Sequence, residues 1–220
     1  MNEPKTLGVI HAAAISIRSM QPFIEQYIPE VSVVHLCDDT IQRDNVRAGV
    51  GVIPKHNYFK FAQYAHNLEE AGADMILLAC STFNYAAELA RPMIDIPIMQ
   101  IDRTMMELAV RQGSRIGMLA TLATTVPSSE RLLRIVAQEQ KKPVEITTVL
   151  REEAFRAIQK GDVETHNAIL LEEIDKLSGK VDVIVMAQLS MSALAPLLNH
   201  TRVPVYNSGS TCFARLRDLL

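Results

Sequence analysis

The strongest constraint on this chain is that it repeats itself. Thr6-Leu-Gly-Val-Ile-His-Ala12 recurs as Arg115-Ile-Gly-Met-Leu-Ala-Thr121. Ala73-Asp-Met-Ile-Leu-Leu-Ala-Cys-Ser-Thr82 recurs as Val181-Asp-Val-Ile-Val-Met-Ala-Gln-Leu-Ser190, and Ile94-Asp-Ile-Pro-Ile-Met99 as Thr201-Arg-Val-Pro-Val-Tyr206. Gly117 follows Gly8 by 109 positions, Asp182 follows Asp74 by 108, Pro204 follows Pro97 by 107 and Thr211 follows Thr104 by 107. Four anchors in order at nearly constant spacing identify an internal duplication. The chain therefore divides into two similar lobes, 1–112 and 113–220.

Within each lobe short apolar runs alternate with helical patterns. In the first, residues 7–10, 31–36, 75–79 and 96–100 read as strands, and 21–27, 60–71 and 104–111 as helices. Phe61, Tyr64, Ala65 and Leu68 share one face of the second helix, and Gly72 ends it. The second lobe adds helices at 128–138, 151–159 and 166–177 and a strand at 144–150. Residues 43–57 contain Gly49, Gly51 and Pro54 and read as a long loop, the kind of segment that covers or lines a binding site. Each lobe outlines βαβαβαβ, so the expected class is α/β: two pseudo-symmetric lobes, each a four-stranded parallel sheet flanked by helices. Ligands of open α/β sheets bind at the carboxyl ends of the strands. The expected site is thus a cleft between the lobes, with Cys80 on one side and, by the offset of 108, Gln188 on the other.

Composition narrows the partners. The 220 residues carry a net charge of -3, which argues against nucleic acid and against an anionic membrane surface. No run of eighteen apolar residues predicts a membrane span, and no basic-then-apolar leader opens the sequence. The three cysteines, at 37, 80 and 212, are odd in number and form no CxxC pair, so neither a disulfide framework nor zinc is expected. A reducing, cytoplasmic compartment fits that usage. The apolar surface of helices such as 60–71 leaves room for a homodimer.

Cys80 closes an apolar strand and precedes a helical pattern. A helix N-terminus lowers a thiol's pKa, which would make Cys80 the reactive thiol of the three and an acid–base group. Ser81 and Thr82 add hydroxyl donors, and their N–H groups would form a nest for a carboxylate. Thr121, Thr124 and Thr125 would supply the same from the facing lobe. Gln188 carries no basicity at neutral pH, and with Ser190 it reads as a binding turn. His11 and Asp39 are the other groups expected at strand ends, and either could serve as partner acid or base. Cys37 and Cys212 read as structural.

The turns 79–82, 119–125 and 183–188, in a two-lobed repeat, resemble those of the aspartate/glutamate/hydantoin racemase superfamily, which also includes maleate isomerases and arylmalonate decarboxylase. The resemblance covers nearly the whole chain. It implies cofactor-free chemistry, with one cysteine after the third strand of each lobe and the substrate carbon between them. It also implies that hydroxyls at Ser81, Thr82 and Thr121, and at Thr124 or Thr125, bind the substrate carboxylate. The first-lobe cysteine maps onto Cys80; the second falls on Gln188, where this sequence departs from the pattern. The leading expectation is a racemase-type isomerase acting on a small carboxylate. The alternatives are a lyase using a single cysteine, and a carboxylate-binding module without catalysis.

Overall fold

The computed structural model describes residues 4–220. Its first half runs β1 (Thr6–His11), α1 (Ile15–Tyr27), β2 (Ser32–Cys37), α2 (Asp39–Ala48), α3 (Lys55–Glu70), β3 (Met75–Leu78), α4 (Tyr85–Ala90), β4 (Ile98–Gln100) and α5 (Arg103–Gln112). The second half runs β5 (Arg115–Ala120), α6 (Val126–Glu139), β6 (Glu145–Leu150), α7 (Glu152–Gln159), α8 (Val163–Ser178), β7 (Val183–Met186), β8 (Val205–Asn207) and α9 (Ser208–Leu219). The strand orders, β2-β1-β3-β4 and β6-β5-β7-β8, are equivalent, and every pairing is parallel. The central strands β3 and β7 are apolar throughout because both faces are covered.

The repeated aspartates explain part of the motif. Asp74 accepts from Lys5 Nζ at 2.6 Å and from the Thr6 N–H at 2.8 Å, tying the start of β3 to the start of β1. Asp182 does the same for β5, through the N–H groups of Ser114 and Arg115 and the Arg115 guanidinium.

Residues 43–57 are not a long loop. Asp38 caps a helix there, accepting from the Thr40 N–H, and α2 continues to Ala48, where Gly49 takes φ +94°. Only residues 49–54 connect it to α3, which begins a turn and a half before the expected position. Gly72, at φ +86°, follows the end of α3 as expected. The outward face of α3 leaves Phe59 77% exposed, while Phe61, Ala65 and Leu68 are buried.

Strand alternation sends Leu7, Val9, Met75 and Leu77 to one face of the first sheet, and Ile10, Ile76 and Leu78 to the other. The first of these faces is covered by α1 and by Cys212, Phe213 and Leu216 of α9, the last helix of the chain. Conversely, Met105, Met106, Ala109 and Val110 of α5 pack against β5, β7 and α6 in the second half. The closing helix of each half therefore covers the other half's sheet. Gly209 permits this approach, since a Cβ there would lie 2.5 Å from the Phe23 ring of α1. Among the described residues, no helix is long and apolar enough to cross a membrane.

Candidate active site

Cys80 follows β3 and opens a short 3-10 turn, Ser81–Phe83. After β5, in the second half, comes another short turn, Ala123–Thr125. The two turns meet: Thr82 Oγ1 lies 3.2 Å from Thr125 Oγ1, and both residues are buried. Beyond β7, Gln188 Oε1 accepts from the Thr121 N–H at 2.6 Å and from the Thr121 hydroxyl at 2.9 Å. The strand ends of both halves are thus linked through Cys80–Thr82, Thr125, Thr121 and Gln188.

Beside this junction a cavity of about 190 Å³ is lined from both halves, by Ile53, Tyr58, Thr82, Phe83 and Tyr85 on one side and Thr124 and Arg131 on the other. Arg131 stacks on the Tyr85 ring at 3.5 Å. The Thr124 hydroxyl oxygen is buried without a partner. Cys80 and Gln188 do not line this cavity.

The electrostatics of Cys80 reverse the expectation of an acidic thiol. Burial pushes it up to about 12, and the nearby Asp102 charge pushes the same way. The backbone N–H groups of Thr82 and Phe83 favour the thiolate, but burial outweighs them. The turn is too short to supply a full helix dipole. Cys80 is a protonated thiol at neutral pH, and the exposed Cys37 is the accessible one.

His11 is fully buried. Its Nδ1 is 2.6 Å from Ser16 Oγ, and its Nε2 is 2.9 Å from His35 Nδ1. The Ser16 hydroxyl donates to the Ala13 carbonyl, so His11 Nδ1 must carry the proton and Nε2 must accept. Both ring nitrogens are committed, and burial, reinforced by His35, lowers the pKa to about 4. His11 is therefore neutral at neutral pH, with both ring nitrogens hydrogen-bonded. Asp39 stands exposed in the first turn of α2 with no side-chain hydrogen bond among the described residues, and nothing links it to Cys80. Asp38, by contrast, is held at about 2: its burial is overcome by hydrogen bonds from Thr40, Tyr64 and Lys60. Ser190 is half-buried beside Gln188.

The His11 shift has a stability consequence. Above pH 6.5 neither state protonates it; between 6.5 and 4 only the unfolded chain does, so acidification removes on the order of 3 kcal/mol through this group. Asp102, raised to about 6 by burial, acts in the opposite direction over an overlapping window. The expected result therefore concerns a difference. Between pH 7 and 4, His11→Asn should lose less stability to acid than the unmutated chain, as followed by urea unfolding. Parallel pH profiles would contradict the buried neutral imidazole.

Residues 54–215 match the family model described as Asp/Glu/hydantoin racemase. The chain belongs to that family. It is 37% identical over 129 residues to a glutamate racemase of Trichodesmium erythraeum (strain IMS101), a match covering 58% of this chain and 45% of that one. A glutamate racemase of Persephonella marina (strain DSM 14350 / EX-H1) is 33% identical over 92 residues, 40% of this chain and 36% of the relative. The chain thus matches less than half the length of these curated relatives. An aspartate racemase homologue from Pyrococcus horikoshii OT3 shares the fold over 98% of both chains, with a TM-score of 0.72 at 16% identity. Glutamate racemase from Francisella tularensis subsp. tularensis SCHU S4, solved in complex with D-glutamate, superposes with a TM-score of 0.68 at 16% identity, over 98% of this chain and 81% of that one.

In this racemase-family chain two site residues escaped the sequence reading, Asp102 and Asn84. Asp102 is fully buried, and Asn84 Nδ2 donates to its Oδ2 at 2.9 Å and to the Ser81 carbonyl at 3.0 Å. The signal was present: Asp102 lies just past β4, at the same sheet edge as Cys80. Among the described residues, no group of three His, Cys, Asp or Glu side chains could hold a metal ion.

Proposed function

We propose that this protein is a cofactor-independent enzyme of the racemase type, moving a proton at the carbon alpha to the carboxylate of a small acid such as an amino acid or a derivative. The observation that carries this is the meeting of the Cys80–Thr82 turn with the Thr121–Thr125 stretch, where a thiol and several hydroxyls converge from two halves. A substrate carboxylate would exchange the Thr82–Thr125 contact for bonds to both hydroxyls, with Thr124, whose oxygen is unpartnered, as a third. Thr121 holds the Gln188 oxygen, which leaves the amide nitrogen as the group to donate. Cys80 would serve one face of the carbon.

A second reading is favoured by one observation. A thiol held protonated, opposite a glutamine, is ready to deliver a proton to an enediolate but must ionise before it can remove one. Decarboxylation of a malonate-type acid creates the enediolate without a base. Incubation in deuterated water separates the two. Aspartate, glutamate and hydantoin enantiomers should incorporate α-deuterium under the racemase reading. Release of carbon dioxide with label in a single enantiomer would assign the lyase, and no exchange or release from either class would defeat the catalytic proposal. The proposed partner beyond substrate is a second copy of the chain, through an apolar surface such as that around Phe59.

A further inference from the structure

One cation stands at the seam between the halves without an acid. Arg131, on α6, lines the cavity beside the Thr82–Thr125 contact and forms no ion pair among the described residues. The acids near it are already engaged. Glu130 accepts from Arg134 at 2.9 Å and from Thr148 at 2.7 Å. Glu88 pairs with Arg91 and accepts from Gln100 at 2.8 Å. Thr124, Ser128 and Arg131 follow one another at spacings of four and three and all line the cavity, so α6 and the turn before it give it one polar face. Tyr85 comes from the other half, and the guanidinium carbon lies 3.5 Å from its ring centroid. At that distance the guanidinium must lie flat on the ring, because standing on edge it would drive a nitrogen into the ring. Its N–H groups lie in its own plane, so the stack orders the fork and uses none of its donors.

We propose that Arg131 is a specificity-determining residue that binds a second carboxylate, carried on the side chain of the substrate. The inference rests on the reading of Thr82, Thr124 and Thr125 as the place of the first carboxylate. Thr82 and Thr124 line the same cavity as Arg131, so an acid held there has the cavity, and the guanidinium, open to its side chain. A guanidinium takes a carboxylate through two parallel hydrogen bonds, a match that a point charge does not offer. The stack on Tyr85 restricts the arginine before any ligand arrives, which lowers the cost of ordering it on binding. An apolar side chain of equal length would leave the guanidinium unpaired and gain nothing from it.

The experiment compares glutarate with valerate, acids of the same chain length that differ in the second carboxylate. Binding is followed by NMR titration of amide shifts at fixed ionic strength. Glutarate should bind the unmutated chain about tenfold more tightly than valerate. Arg131→Met should abolish that advantage and leave valerate binding unchanged. Arg131→Lys should keep part of it, since an ammonium supplies the charge without the fork. Arg134→Met removes an equal charge from the same helix and should leave the advantage in place. Glutarate binding as tightly to Arg131→Met as to the unmutated chain, or an equal loss in both methionine variants, would overturn the proposal. Equal affinity of the unmutated chain for the two acids would defeat the role of Arg131 alone. Binding of neither acid would defeat the threonine carboxylate site, and this proposal with it.

Discussion

Replacing Cys80 by serine should reduce proton exchange at the substrate carbon by on the order of 10²–10⁴-fold and leave the fold intact. The position is half-buried and serine is slightly smaller, so it fits the same space. What is lost is acidity, since an alcohol gives up its proton far less readily than a thiol. The measurement is α-deuterium incorporation by NMR, with thermal unfolding as the control. Undiminished exchange would remove Cys80 from the mechanism. Gln188→Cys is the companion variant: a gain of label in the second enantiomer would establish that the two positions face one carbon.

The second large effect lies far from the chemistry. Phe213→Ala should cost about 3–5 kcal/mol in unfolding free energy. Its ring is fully buried in the first sheet's core, 5.9 Å from the Phe23 ring and nearly parallel to it, although it belongs to the last helix of the chain. Urea unfolding should show the loss within one cooperative transition. A cost below about 1 kcal/mol, or a transition in which the two halves separate, would argue that α9 does not hold them together.

Much of this architecture was legible because the signals were local and repeated. Strands β1, β3, β5 and β7 are apolar runs at fixed offsets, and the duplication pointed to equivalent sheets before any contact was known. The error over residues 43–57 came from weighting Gly49, Gly51 and Pro54 above the cap at Asp38. The repeat carries the same information, because the second half's pattern has two helices between its second and third strands. The thiol's character was not legible, because it depends on how completely the turn is enclosed and on the Asp102 charge, which joins Cys80 only through the fold. The same holds for His11, whose imidazole is useful in principle but is spent on Ser16 and His35. The exchange of closing helices left no trace in periodicity, since α5 and α9 look like ordinary amphipathic segments wherever they dock.

That exchange bears on how such a protein can exist at all. A single repeat of this kind would carry its closing helix away from its own strands and leave one side of the sheet bare to water. It could bury that side only by trading helices with another molecule, at a cost that rises as the molecules become dilute. Joining two repeats through the short connection at Gly113 makes the trade intramolecular. The effective concentration of each helix for its sheet is then set by the linker, and assembly no longer depends on how much protein the cell contains.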